Sequence, residues 1–145
     1  MITLQPSLRI GLNVWDRVKM PETEFRSRLE QVKRKMQNER IDVLIIYSKD
    51  FNEYGNTSYI SNFIARLPGG TLIGLPRNHE PTLFFKGSSR AVPFAKTTTW
   101  IADVKACSDV SKECVNYLND RAFVPSTVGM VGVRQFMPYH QVSLL

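Results

Sequence analysis

An α/β layer with a mixed sheet flanked by helices is the fold that this 145-residue sequence predicts, and three observations predict it. Apolar residues recur at helical spacing between residues 23 and 39. The run that follows, from Ile41 to Tyr47, is apolar without any period. Beyond it the chain passes through a hairpin, a strand, a helix, a strand and a helix, the alternation that builds layered α/β domains.

Phe25, Leu29, Val32 and Met36 form one stripe on a helix from about Thr23 to Glu39, and the Thr23 hydroxyl is the expected N-cap. Asp42 is expected to close that helix. Ile41 to Tyr47 is rich in branched residues, as befits a strand covered on both faces. After a polar loop comes the short segment NTSYISNF, then Pro68-Gly69-Gly70, then a strand over Thr71 to Leu75. PRNHEP turns the chain into Thr82 to Phe85, which completes an antiparallel hairpin. Thr97 to Val104 is β-branched and aromatic, and predicts a strand. Val110, Cys114 and Leu118 mark a helix from about Asp109 to Asp120. Ser126 to Val131 reads as a last strand, and Pro138 suits the first turn of a last helix. Residues 1–22 are set apart as an N-terminal arm packed through Val14 and Trp15, and residues 23–145 as the domain proper.

Composition narrows the function. With 43% hydrophobic and 22% charged residues the chain has the make-up of a globular domain. No apolar run approaches the roughly 20 residues that span a bilayer, and Pro6, Arg9 and Gly11 interrupt the start before a signal-like stretch develops, so a cytoplasmic protein is expected. Without secretion the triplet Asn56-Thr57-Ser58 has no glycosylation to accept. The net charge of +6 raises the question of a polyanionic partner. Yet Glu22, Glu24, Glu30 and Glu39 interleave with Arg26, Arg28, Lys33, Arg34, Lys35 and Arg40, and no aromatic residues alternate with the cations to stack bases. A solvated helix face is expected there, and nucleic acid is disfavoured.

Constellations that carry chemistry are missing. Cys107 and Cys114 fit neither a metal knuckle nor a disulfide framework, and read as free thiols. The two histidines, His79 and His140, lie far apart, with no HExxH and no Cys/His cluster, so no metal site is expected in this chain. Gly69-Gly70 lacks the Lys-Ser/Thr of a P-loop, Gly129 with Gly132 is a lone GxxG, and Gly87-Ser88-Ser89 is not a GxSxG elbow. The carboxylates show no paired arrangement for acid/base work. No catalytic residue is assigned.

The succession FRSRLEQVKRKMQNERIDVLIIYSKDFNEYGNTSYISNF resembles the start of the amino-terminal domain of the creatinase, prolidase and aminopeptidase P family, the pita-bread metallopeptidases. Phe25, Arg28, Met36, Ile41 and Asp42 match its helix-to-strand pattern, and Asn56, Tyr59, Ile60, Ser61, Asn62 and Phe63 match its YLTGF-like segment, with Asn62 standing where that family usually has glycine. Thr71 to Pro76, Pro81 to Phe84 and TVGMVGVRQFMP continue the likeness, so it spans nearly everything from Phe25 onward.

The resemblance implies a ribonuclease-H-like topology and a non-catalytic domain. In that family two divalent metal ions are held by a carboxy-terminal catalytic domain, which this chain lacks, and which would be its main partner. The end PYHQVSLL, about two helical turns without a Gly or basic C-cap, fits a chain that continues. A homodimer is also implied, with a peptide or small amide as substrate of the full-length Xaa-Pro dipeptidase, aminopeptidase P or creatinase-like hydrolase. Under this reading the strand ending at Tyr47 presents NTSYISNF and Ile64-Ala65-Arg66 toward the catalytic domain or the dimer partner. Arg66 is the substrate-access candidate, because a guanidinium at that edge can pair bidentately with a substrate carboxylate. Asn56, Tyr59 and Phe63 are expected to fix the loop, with Tyr59 and Phe63 packed in the core. Trp15 and Trp100 are expected to cap the core or an interdomain surface. The alternatives are a stand-alone protein-interaction module and a basic nucleic-acid-binding domain.

Overall fold

The structure, a computed structural model, describes residues 15–50, 52–65, 68–121 and 124–145. Helix α1 spans Glu22–Asn38 and buries Phe25, Leu29 and Met36, so the apolar stripe does face the core. Its N-cap is Pro21 and not Thr23. Proline has no N–H to leave unpaired and its fixed φ suits a helix start, while Glu22 and Glu24 complement the positive end of the helix dipole. At the other end Arg40 takes a left-handed φ of 56°, which lets Ile41 N–H donate to the Met36 carbonyl at 2.8 Å and turns the chain toward the sheet.

Strand β1, Val43–Ser48, is buried at all six positions. Leu44 and Ile46 enter one core while Val43, Ile45 and Tyr47 enter another, which is why the sequence shows no period here. The remaining elements are α2 (Gly55–Ser61), β2 (Thr71–Pro76), β3 (Thr82–Lys86), a 3₁₀ turn (Ser89–Ala91), α3 (Val92–Lys96), β4 (Asp103–Cys107), α4 (Val110–Asp120), β5 (Val128–Val131), α5 (Val133–Phe136) and α6 (Tyr139–Val142). The five strands lie in the order β4-β3-β2-β1-β5. β2 runs antiparallel to β1 and β3, whereas β3 with β4 and β1 with β5 are parallel, so the sheet is mixed. Helices α1 to α3 cover one face and α4 to α6 the other, each over its own apolar core. This is the layered α/β fold that the sequence predicts.

Three local expectations need correction. NTSYISNF contains a helix, α2, where a loop is expected. The strand expected over Thr97 to Val104 forms only from Asp103, as Asp103–Cys107, and residues 97–102 are not strand: the hydroxyls of Thr97, Thr98 and Thr99 donate to the Phe94, Ala95 and Ser61 carbonyls at 2.7, 2.8 and 2.6 Å. Thr97 and Thr98 satisfy the backbone locally and Thr99 bonds the end of α2, which together override the preference of threonine for a pleated surface. Asp42 does not close α1. Its carboxylate contacts Arg77 at 3.1 Å and accepts N–H donors from Ser126 and Thr127 at 3.0 and 3.2 Å, tying the start of β1 to the end of β2 and the approach to β5.

Of the N-terminal arm, Val14 lies outside the described residues. Trp15 is buried, meets Phe25 edge-on at 6.2 Å, and donates its indole N–H to the Met20 carbonyl at 2.6 Å. Trp100 is likewise a core residue, its indole N–H bonded to the Ile60 carbonyl at 2.6 Å.

Candidate functional site

Because β2 alone runs against the others, β1, β3, β4 and β5 all bring their carboxyl ends to one edge of the sheet, and β2 starts there at Thr71. Open α/β sheets place ligand surfaces at such an edge. Helix α2 is pinned to it by short polar side chains. Ser48, the last residue of β1, accepts the Thr57 N–H at 3.0 Å, which satisfies one of the free donors of the α2 first turn. Asn56 donates its side-chain amide to the Tyr47 carbonyl at 3.2 Å. Gly132 completes the contact, since its φ is +74° and a Cβ there would collide with the Tyr47 carbonyl and the Asn56 amide.

The far end of α2 is held as firmly. Ser61 Oγ donates to the Thr57 carbonyl at 2.7 Å and accepts the Phe63 N–H at 3.0 Å. Asn62 adopts a left-handed φ of 62° as the C-cap and donates its amide to the Thr98 carbonyl at 3.0 Å. That conformation accounts for the glycine-to-asparagine departure, because glycine and asparagine are the residues that enter it at least cost.

Asn56 and Phe63 therefore do fix this segment, Asn56 by its amide and Phe63 by burial at 6% exposure, with its ring 5.3 Å from that of Phe85. Tyr59 departs from expectation. The residue is 49% exposed, and its ring lies under the Arg28 guanidinium at 4.7 Å. The four-residue spacing to Phe63 does not make one face, because the left-handed turn at Asn62 falls between them. Arg28 in turn donates to Glu24 at 2.9 Å and to the Tyr59 carbonyl at 3.1 Å, a bridge from α1 to α2 that the sequence did not reveal.

Beside Phe63 the edge opens into an apolar pocket of about 270 Å³, lined by Phe63, Ile64, Ala65, Phe85, Gly87 and Phe94 among others. Phe94 is 44% exposed at its rim. Arg66 follows Ala65 directly in sequence and lies outside the described residues. The pocket is assembled from residues 63–65 and residues 85–95, some twenty residues apart, which no local sequence pattern announces.

The titratable groups nearby are unsuited to nucleophilic work at neutral pH. Burial, reinforced by Asp50 and Asp109, pushes the Tyr47 phenol up to about 12. Burial, with Glu113 and Asp109 close by, pushes the Cys107 thiol up to about 11, and burial pushes Cys114 up to about 12. His79 is exposed in the β2–β3 turn and His140 is exposed on α6, so the two histidines are not brought together. Among the described residues no three His, Cys, Asp or Glu side chains converge on a point that could hold a metal. The ligand set for a pair of divalent metals is not furnished by the described residues, and no step through such metals is derived from this chain. No helix among the described residues is long and apolar enough to cross a membrane.

Residues 28–144 match the profile of the creatinase/prolidase N-terminal domain. An Xaa-Pro aminopeptidase from Streptococcus pyogenes superposes with a TM-score of 0.60 at 16% identity, over 86% of this chain and 89% of that one. The aminopeptidase P, an Xaa-Pro aminopeptidase, from Streptococcus thermophilus gives a TM-score of 0.54 at 19% identity, over 73% of each chain. At these identities the superpositions establish a shared fold. Comparison with curated proteins gives no match.

Proposed function

Because the chain belongs to the creatinase/prolidase N-terminal domain family, we propose that it is the non-catalytic domain of a metal-dependent hydrolase of the Xaa-Pro dipeptidase, aminopeptidase P or creatinase type, serving dimerisation and substrate access. Hydrolysis then belongs to a carboxy-terminal catalytic domain, the principal partner, which carries the two divalent metal ions; the substrate is a peptide or a small amide. The observation that carries this reading is the carboxyl edge, where a rigidly clasped helix sets an open apolar pocket beside the segment leading to Arg66. Apolar surface left open beside fixed backbone is the mark of a surface that another domain or ligand covers. The cytoplasm is the proposed compartment, and the two free cysteines suit reducing surroundings.

The test is steady-state kinetics of the polypeptide that carries both domains. Arg66→Ala is expected to raise KM for an Xaa-Pro peptide by about tenfold with kcat nearly unchanged, the loss expected when one charge-assisted contact to a carboxylate is removed. Unchanged kinetics would discard the substrate-access assignment.

A stand-alone interaction module is the second reading, favoured by the edge strand β5, where Val128, Met130 and Val131 are exposed, and by the exposed Tyr139 and Leu144 nearby in sequence. Nucleic-acid binding is not favoured, since Arg26, Arg28 and Lys35 of the basic helix are engaged by Glu22, Glu24 and Glu39.

A further inference from the structure

A second cleft, of about 630 Å³, opens at the end of the sheet opposite the carboxyl edge. The β2–β3 turn at His79 and Glu80, the approach to β4 through Trp100 and Asp103, and the last turns of α4 form its walls. Its charges are not equally compensated. Arg26 is bound by Glu22 at 2.8 Å and Glu80 at 3.4 Å while lying 4.9 Å from the Trp100 ring centroid. The Asp103 carboxylate accepts the Thr82 hydroxyl at 2.9 Å, which holds it on the sheet. Lys105 and Arg121 have no carboxylate partner among the described residues. Both instead lie on Tyr117, with the Lys105 ammonium 4.9 Å and the Arg121 guanidinium 4.2 Å from its ring centroid, and Arg121 also donates to the Tyr117 hydroxyl.

Two cations gathered on one aromatic ring repel each other, and the ring quadrupole offsets this only in part. Tyr117 is itself buried, packed edge-on against Phe84 at 5.6 Å, so the platform between the cations is fixed and not a floppy surface side chain. The cleft is of small-ligand size, and this pair, without an ion-pair partner among the described residues, outnumbers the one carboxylate on its wall that has no cation bound, Asp103. From this geometry we infer that the cleft binds an oxyanion through Lys105 and Arg121, with Tyr117 as the platform that positions them. A guanidinium suits bidentate capture of a carboxylate or phosphate, and the ammonium supplies a second point charge. The oxyanion is carried by a small ligand, either as a free phosphate or as the terminal carboxylate of a short peptide. This inference does not depend on the carboxyl-edge pocket or on the hydrolase reading.

The experiment is a titration of the 145-residue chain, followed by amide chemical shifts, with three probes at low salt: inorganic phosphate, an N-acetylated dipeptide with a free carboxylate, and the same dipeptide as its amide. Saturable shifts at Lys105, Tyr117 and Arg121 are expected with phosphate, with the free-acid dipeptide, or with both, and the amide should give none. Which probe binds more tightly identifies the source of the oxyanion. Arg121→Ala should weaken binding by about tenfold or more, whereas Lys112→Ala, a cation on the same helix but away from the cleft walls, should leave it unchanged. Arg121→Lys, which keeps the charge but loses the planar fork, should fall between. Absence of saturable shifts with both anions, equal binding of the amide, or equal loss in the Lys112 variant would overturn the inference.

Discussion

Asn62 shows how a single residue settles the local backbone. Its left-handed φ and its amide bond to Thr98 serve two needs, one of conformation and one of tertiary contact. Asn62→Gly keeps the conformation and loses the bond, and is expected to cost about 1 kcal/mol or less; Asn62→Ala loses both and is expected to cost about 1–2 kcal/mol. Urea unfolding of the three proteins checks the order wild type, Gly, Ala. Tyr47 makes a different prediction. Its folded-state pKa stands near 12 against an ordinary value of 10.0, chiefly through burial. A raised value stabilises the fold below the unfolded pKa and that contribution is lost as pH climbs through the folded one, so stability should decline between about pH 10 and 12. The two cysteine thiols, raised from 9.0, act in the same direction from about pH 9 upward. Tyr47→Phe should flatten the upper part of that decline, and urea midpoints measured across this range test it. An unaltered slope would mean that the phenol does not ionise on unfolding.

At the scale of elements, Asp42 is the tie between three strands, whereas the sequence suggested only that it closes the first helix. Asp42→Ala leaves Arg77 and the Ser126 and Thr127 N–H groups without their acceptor, and is expected to cost about 1–2 kcal/mol given partial access to water. Hydrogen exchange should show β5 losing protection first, because among the described residues its only strand neighbour is β1. Uniform loss over the whole sheet would place the tie elsewhere. The elements that sequence reading recovered are those with an apolar pattern: α1 by its stripe, β1 by its unbroken run, the β2–β3 hairpin by its punctuation, and α4, where Asp109 accepts the Ser111 and Lys112 N–H groups as N-cap. Those it missed are short or polar: α3 is a single five-residue turn, too brief to show a period. Helix α2 is built from Asn, Thr and Ser, residues that favour turns, and it forms because their side chains bond the end of β1 and the backbone around Thr98. Tyr59 was misplaced for a related reason: its partner Arg28 sits 31 positions earlier, on another helix.

For the molecule as a whole, the sheet separates two uses of one fold. Helices on both faces make the core, which fixes the strands; the strand ends then carry whatever surface chemistry the domain has. The apolar pocket at the carboxyl edge and the cationic cleft at the opposite end both arise from contacts between distant segments, so neither could be read from spacing. We propose that the carboxyl edge is where this domain meets a carboxy-terminal catalytic domain. Amide shift mapping of the 145-residue chain, titrated with the separately expressed catalytic domain, tests it most directly. Changes confined to Phe63 to Ala65, Gly87 and Phe94 with their immediate neighbours are expected. Binding that leaves this edge unperturbed, or no binding at all, would contradict it.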